Sequence, residues 1–209
     1  SHSQINHYAF NINNIKSKTL YPYKLYSPDA EDSRGNIWVH DYNHFSCLNI
    51  STHSFENYNR PYPSLADKSD QFIGLVVDRK DHVWLCDRNH GILEFDPLTK
   101  KHVLYGLKEG LPHLTMYQMA FDSTRQVIWI YSFLGISSFS TESHQFETYG
   151  ITEGLYSDDG ISSISFSGEK LFVGFWDGHI SYTSMNQLSA NHKIPAIVFT
   201  SLVINGEAW

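Results

Sequence analysis

Apolar positions along this chain fall into short runs of four to seven residues, and the runs recur on a long beat. In the stretch Asp78–Tyr105 three of them, His82–Cys86, Gly91–Phe95 and His102–Tyr105, are rich in β-branched and aromatic residues. The turn-forming clusters Asp87–His90 and Asp96–Lys100 separate them, so the stretch predicts three strands of a meander. Its landmarks are Asp78, Trp84, Gly91, Phe95 and Tyr105. Further along, Asp122, Trp129, Gly135, Phe139, Phe146 and Tyr149 follow in the same order; earlier, so do Asp32, Trp38, Leu48, Phe55 and Tyr58. The tryptophans lie 46 and 45 residues apart, and Phe172 stands another 43 on in an anchor position of its own. Gly91, Gly135 and Gly178 follow their anchors, with His44 in the glycine's place in the first complete copy. Such a period marks a repeat architecture. No segment carries a helical stripe with caps.

Four-stranded units of this length fit propeller blades, whose inner strands lie between neighbouring sheets and need apolar residues on both faces. VIWIYSF and KLFVGFW have that double-sided character. The expected fold is all-β: β-propeller blades, about four of them with four strands each, forming a partial propeller, plus the first strand of a C-terminal β-sandwich domain. In that scheme Gly74–Asp78, Met119–Asp122 and Ser163–Ser167 open successive blades, and the anchor lies on the next strand. Residues 1–23 read as the tail of an earlier blade, since Tyr8-Ala9-Phe10-Asn11 matches Glu94-Phe95-Asp96 and Thr19-Leu20-Tyr21 matches Val103-Leu104-Tyr105. Blades are expected over 24–71, 72–117 and 118–160, and a last, diverged blade over 161–192. Residues 193–209 start another domain, with alternating Ile197, Phe199, Leu202 and Ile204 leading to an Asn205-Gly206 hairpin turn. The loops Gly106–Leu111 and Gly150–Leu155 share one pattern, so successive units are joined alike. A chain that begins inside a unit reads as a piece of something longer, and its apolar flanks call for further blades or a second copy, a homodimer.

Composition narrows the partners. Of 209 residues, 15 are basic and 22 acidic, a net charge of −7 with no basic block, which argues against a nucleic-acid surface. A hydrophobic content of 41% with 15% aromatics suits a packed, strand-rich protein. No run approaches the roughly 18 apolar residues of a membrane helix, and SHSQINHY lacks the pattern of an export signal, so any signal or anchor is expected outside this chain. Cys47 and Cys86 occupy different positions in their repeats and read as two small buried hydrophobes, against a disulfide or metal pair.

The chain has no P-loop, dinucleotide fingerprint, nucleophile elbow, zinc-protease motif or Cys-x-x-Cys. No catalytic residue, metal or cofactor is expected. His40 and His44 are four apart, which means little on a strand and its turn. Asp32-Ser33-Arg34-Gly35-Asn36-Ile37-Trp38 resembles the Asp-box turn of sialidase-like propellers with an interval one residue too long. Asp32 and Asp78 read as side chains that bond their own turns. Glycosidase or lyase chemistry would need carboxylates, or a His/Arg/Tyr cluster, brought together in space. A sugar site needs aromatic faces and planar polar groups, which propellers gather where the turns after the anchor strands meet the inter-blade loops. The candidate ligand-binding residues there are Trp176, Asp177, Arg88, Asn89, His90, Tyr42, His44, Tyr156 and Asp158. Trp176 is the leading one, either as an exposed platform or packed on a neighbouring blade. Arg88 with Asn89 is either a group for an acidic sugar or a solvated turn.

DSRGNIWVHDYNHFSCLNISTHSFENY resembles the two-component regulator propeller repeat, whose typical form runs Asp-x-x-Gly-x-Ile-Trp-Ile-Gly-Thr, then Gly-Leu, an aromatic, Asp or Asn, and a closing Phe-x-x-Tyr. LFVGFWDG, followed by Pro195 and IVFTSLVING, is similar to the passage from such propellers into a tyrosine-rich immunoglobulin-like domain. His40, Cys86, Tyr131 and His44 depart from the family's glycine positions. The resemblance implies the periplasmic sensor region of a hybrid two-component system histidine kinase, which detects oligosaccharides and passes the signal across the membrane. It also implies the rest of the propeller and an immunoglobulin-like domain as partners. The kinase itself is implied by the resemblance and is not encoded in these residues. A propeller-fold carbohydrate-active enzyme and a pure scaffold or dimerisation module are the alternatives.

Overall fold

The computed structural model describes residues 28–62, 71–151, 155–157 and 160–185, together with the backbone of 203–204 and 207–208. The first sheet is β1 (Pro28–Glu31), β2 (Ile37–His40), β3 (His44–Asn49) and β4 (Ser54–Asn59). The second is β5 (Phe72–Val77), β6 (Val83–Asp87), β7 (Gly91–Phe95) and β8 (His102–Tyr105). The third is β9 (Met116–Asp122), β10 (Val127–Ser132), β11 (Gly135–Ser140) and β12 (Phe146–Tyr149). The fourth comprises β13 (Ile161–Ser167), β14 (Lys170–Phe175) and β15 (Ile180–Ser184) among the described residues. Each sheet is an antiparallel meander whose spatial order is its chain order. A short pair, β16 (Val203–Ile204) with β17 (Glu207–Ala208), flanks Asn205-Gly206. The tail assigned to 1–23 lies outside the described residues, as does the domain start expected over 193–209 apart from the backbone of 203–204 and 207–208.

The sheets stack face to face as blades, and an apolar layer fills each gap. Trp38, Phe45 and Cys47 of the first blade meet Phe72, Leu75, Val83, Leu85, Leu93 and Phe95 of the second. Trp84 with Cys86, Ile92 and Tyr105 meets Met116, Ile128, Ile130 and Phe139 of the third. Trp129, Ile136 and Tyr149 meet Ile161, Ile164, Leu171, Val173 and Phe175 of the fourth. Strands β6 and β7 are buried along their whole length, which is why they read as apolar on both faces. Burying an indole removes 150–250 Å² from water, worth about 4–6 kcal/mol, so the anchors dominate their layers. The closing tyrosine of one blade meets the phenylalanine of the next: Tyr58 to Phe95 at 4.8 Å and Tyr105 to Phe139 at 5.1 Å. The recurring Trp, Phe and Tyr are therefore the three parts of one inter-blade contact.

The opening strands start earlier than their alternation predicts, at Phe72, Met116 and Ile161 in place of Gly74, Met119 and Ser163. A register shift sits at the same place in each: Phe72 opposes Asp87, Met116 opposes Ser132 and Ile161 opposes Phe175 across a bulge. The extra residue flips the two-residue period, so the pattern loses the first turn of the strand. Gly91 is required by crowding as well as by its φ of +129°, since a Cβ there would collide with the Tyr105 carbonyl.

At the other end of the anchor strand, the Asp78 carboxylate accepts from the amides of Lys80 (2.8 Å) and His82 (2.9 Å) and from Trp84 Nε1 (2.9 Å). Asp32 does the same for Arg34, Asn36 and Trp38 Nε1. Burial works to raise the Asp32 pKa, but hydrogen bonds from Asn36, Arg34 and Trp38 outweigh it and hold the carboxyl below its ordinary value. These turns also tie blades together: Ser33 N and Oγ donate to Asp81 at 2.8 and 2.6 Å, and Arg79 N donates to Gln126 Oε1 at 3.0 Å. Cys47 and Cys86 are buried free thiols on different blades, and no disulfide joins them.

Candidate loop-face binding site

Because every blade is a meander, the turns after the anchor strands and the inter-blade connections end on one edge of the stack. Main-chain bonds lock them together there: Phe72 N to Tyr42 O (3.0 Å), Arg88 N to Gln71 O (2.9 Å), Asn89 N to Leu114 O (3.0 Å), Phe133 N to Thr115 O (3.0 Å) and Trp176 N to Gly160 O (2.8 Å). The shared loop pattern has a shared geometry, with Leu111 N bonded to Gly106 O at 3.1 Å and Leu155 N to Gly150 O at 3.2 Å. Among the described residues, the loops of this edge are thus pinned to the sheets through their main chain.

The candidates divide sharply on it. In the second blade, Asp87 is wholly buried and pairs with Arg60 Nε at 2.7 Å. It also accepts from Arg60 Nη2 (3.1 Å) and Tyr62 Oη (2.7 Å), and His90 Nδ1 lies 3.5 Å away. Arg60 covers the Phe72 ring at 5.0 Å, and the Tyr62 and His90 rings lie 4.9 Å apart. Burial pushes the Asp87 carboxyl above its usual range against the opposing pull of Tyr62, Arg60 and His90. This cluster bolts the first blade to the second, and His90 faces inward as part of it. Arg88 is spent as well: its Nε donates to Met116 O at 3.0 Å and its guanidinium lies 5.2 Å from the Tyr117 ring, which packs on Tyr131. His44 points its Nδ1 at the Asp41 carboxylate, 3.1 Å away, and His40 Nδ1 meets Asp29 at 2.7 Å. Tyr42 stays half-exposed, and Asn89 sits in a left-handed turn.

The fourth blade differs. Trp176 is 80% exposed although its main chain is pinned to Gly160. Beside it, Asp177 accepts from His179 N at 3.0 Å and faces His179 Nδ1 at 3.0 Å. Tyr156 stacks on the His179 ring at 4.3 Å with 20° between planes, which sets its ring beside the His179–Asp177 pair. The backbone bond from His179 holds the Asp177 carboxyl below its usual value, helped by the His179 ring and the Tyr156 hydroxyl. The structure thus brings together Trp176, Asp177 and Tyr156; Tyr42 with His44, and Arg88 with Asn89 and His90, lie on the first and second blades. Asp158 lies outside the described residues. His179 was not legible as a site residue; its only signal was its place two residues after Asp177 in a Gly-containing turn. Phe133, 62% exposed and packed 5.2 Å from His113, adds a third-blade aromatic to the same edge. Among the described residues no group of three His, Cys, Asp or Glu side chains is placed to hold a metal ion.

No protein-family model matches the chain, and no curated protein matches it in sequence. Among solved structures, it is similar to the extracellular domain of the putative hybrid two component system BT3049 from B. thetaiotaomicron, with 15% identity and a TM-score of 0.59 over 80% of this chain and 24% of that one. The extracellular domain of the putative hybrid two component system BT4673 from B. thetaiotaomicron gives 16% identity and a TM-score of 0.53, over 86% of this chain and 26% of that one. The computationally designed Ika4 protein gives 12% identity and a TM-score of 0.52, over 77% and 91% of the two chains. This chain spans about a quarter of the length of the two natural structures. The likeness establishes an all-β, bladed fold, shared with the extracellular domains of these two-component systems and with a designed protein.

Proposed function

We propose that this chain is a non-catalytic sensor segment from the periplasmic ectodomain of a hybrid two-component system histidine kinase, and that its loop face binds an oligosaccharide. The shared fold supports the sensor role, and the exposed aromatics of the loop face support the glycan. One observation carries the reading: the Trp176 indole is 80% exposed on a turn whose main chain is fixed, where burial against the adjacent sheet would otherwise hide so large an apolar group. An acceptor role for Asp177, in place of that of a general acid, is supported by the His179 backbone bond that holds its carboxyl below the usual value. Exposed Ile180 and Tyr182, on the open side of the fourth blade, support packing against the rest of a propeller or a second copy.

Calorimetric titration of the chain with a panel of neutral and acidic oligosaccharides tests the proposal. Heat with at least one member and no release of reducing ends or unsaturated products is expected. Silence with the whole panel removes the glycan and leaves a scaffold; turnover by purified protein replaces the sensor with a carbohydrate-active enzyme.

A further inference from the structure

We infer that the fourth-blade turn is a subsite for an uncharged glycan unit, in which the Trp176 indole is the stacking platform and the Asp177 carboxylate accepts hydroxyl donors from the sugar. The inference rests on the oligosaccharide reading and adds the charge class of the ligand and the residues that set it.

The turn fixes the main chain that carries its two functional side chains. Phe175 is buried at its base and closes it through Phe175 N to His179 O (2.9 Å), while Gly178 N donates to Phe175 O (3.1 Å). The amide of Trp176 is taken by Gly160 O, so the indole projects from a fixed Cα. With the Cα fixed, only the two side-chain torsions of the indole remain to be ordered when a pyranose ring lies on it, which keeps the entropy cost of stacking low. Asp177 offers two oxygens with about four acceptor positions, and the donors around it are His179 N and His179 Nδ1. Acceptor capacity remains on the solvent side, where a pair of neighbouring sugar hydroxyls can donate.

Charge decides the ligand class. The carboxylate of a uronic acid or the sulfate of a sulfated sugar would stand beside ionised Asp177 with no guanidinium or ammonium to meet it among the described residues of this turn. Arg88 lies on the second blade, committed to Met116 O and Tyr117. Lys170 starts β14, at the end of that strand remote from the turn, and lies over the Tyr182 ring at 5.2 Å. A net charge of −7 works in the same direction over longer range. Like-charge juxtaposition is how binding sites reject the wrong partner.

The test follows the indole Nε1–H of Trp176 by NMR, assigned with Trp176→Phe, while the chain is titrated with maltohexaose, cellohexaose, xylohexaose, tetragalacturonate and a heparin tetrasaccharide. A neutral oligomer is expected to move the Trp176 signal with a Kd at least about tenfold below that of either anionic probe. Trp176→Ala should weaken that oligomer by about tenfold or more, and Asp177→Asn should narrow the gap to the anionic probes. Both side chains are exposed, so the variants keep the fold, which far-UV circular dichroism checks. Equal or tighter binding of an anionic probe at Trp176 overturns the inference and leaves the glycan sensor standing. Calorimetric heat from any oligomer without movement of the Trp176 signal does the same. No heat and no shift with any probe removes both.

Discussion

The second and third blades carry the same buried indole and treat it differently. Trp84 Nε1 donates to Asp78, six residues earlier, at 2.9 Å. In the third blade the interval from Asp122 to Trp129 is one residue longer, and the Asp122 carboxylate accepts from Thr124 N, Arg125 N and the Arg125 guanidinium at 2.9, 3.1 and 2.9 Å. Trp129 Nε1 is buried with no hydrogen-bond partner among the described residues. One inserted residue therefore exchanges an indole bond for an ion pair. Its neighbour Gln126, held at a φ of +57°, uses the changed turn to accept from Arg79 of the second blade. The repeat keeps the apolar payload of the anchor and lets its polar atom vary. Packing is the constant part of the blade, and the hydrogen bond is the adjustable one.

Substitutions can break that comparison at several levels. Trp84→Ala should cost about 3–5 kcal/mol in urea unfolding, since it opens a void in a layer sealed by two sheets. Trp129→Ala should fall in the same range, and a cost near zero there would show that the two anchors do not pack alike. Asp78→Ala should cost about 2–3 kcal/mol because it strands the buried Trp84 Nε1 along with two amides, whereas Asp122→Ala should cost about 1 kcal/mol, its side-chain donor being a partly exposed arginine that water can reach. Trp84→Phe should cost about 1 kcal/mol more than Trp129→Phe, since both lose the same packing and only Trp84 loses a hydrogen bond. Equal losses for the two Phe variants would refute the difference between the turns. The smallest effect is in acid. Asp32 has a folded pKa below its unfolded value, so its contribution is present above about pH 4 and is lost as pH falls through the folded pKa. Asp32→Asn should flatten the stability profile over that acid window, and an unchanged slope would mean the carboxylate is not held by its turn.

The blade framework was legible because its signal is local and repeated. Trp38, Trp84 and Trp129 are buried to 1%, 0% and 3% exposure, as their spacing and apolar flanks imply. The opening strands were short in the sequence reading because a bulge at Phe72, Met116 and Ile161 interrupts the alternation by which a strand is recognised. At the candidate site local polarity misleads in both directions. Asp87-Arg88-Asn89-His90 is polar enough to pass for a solvated turn, yet Arg60 and Tyr62 reach it from the first blade and Met116 from the third, drawing Arg88 and His90 into joints. Phe175-Trp176-Asp177 is apolar enough to pass for core, yet the register that buries Phe175 turns the next residue outward.

By itself, the amino-acid sequence determined the all-β class, the beat of the blades, the anchors and the form of the turns, since each of these depends on side chains a few positions apart. Tertiary structure decided which polar groups become joints and which aromatic faces stay open. Arg60 meets Asp87 across 27 residues and Ser33 meets Asp81 across 48, distances over which sequence pattern carries no register. Stacking one sheet on the next sets that register, and with it the exposure of Trp176 beside an ionised Asp177.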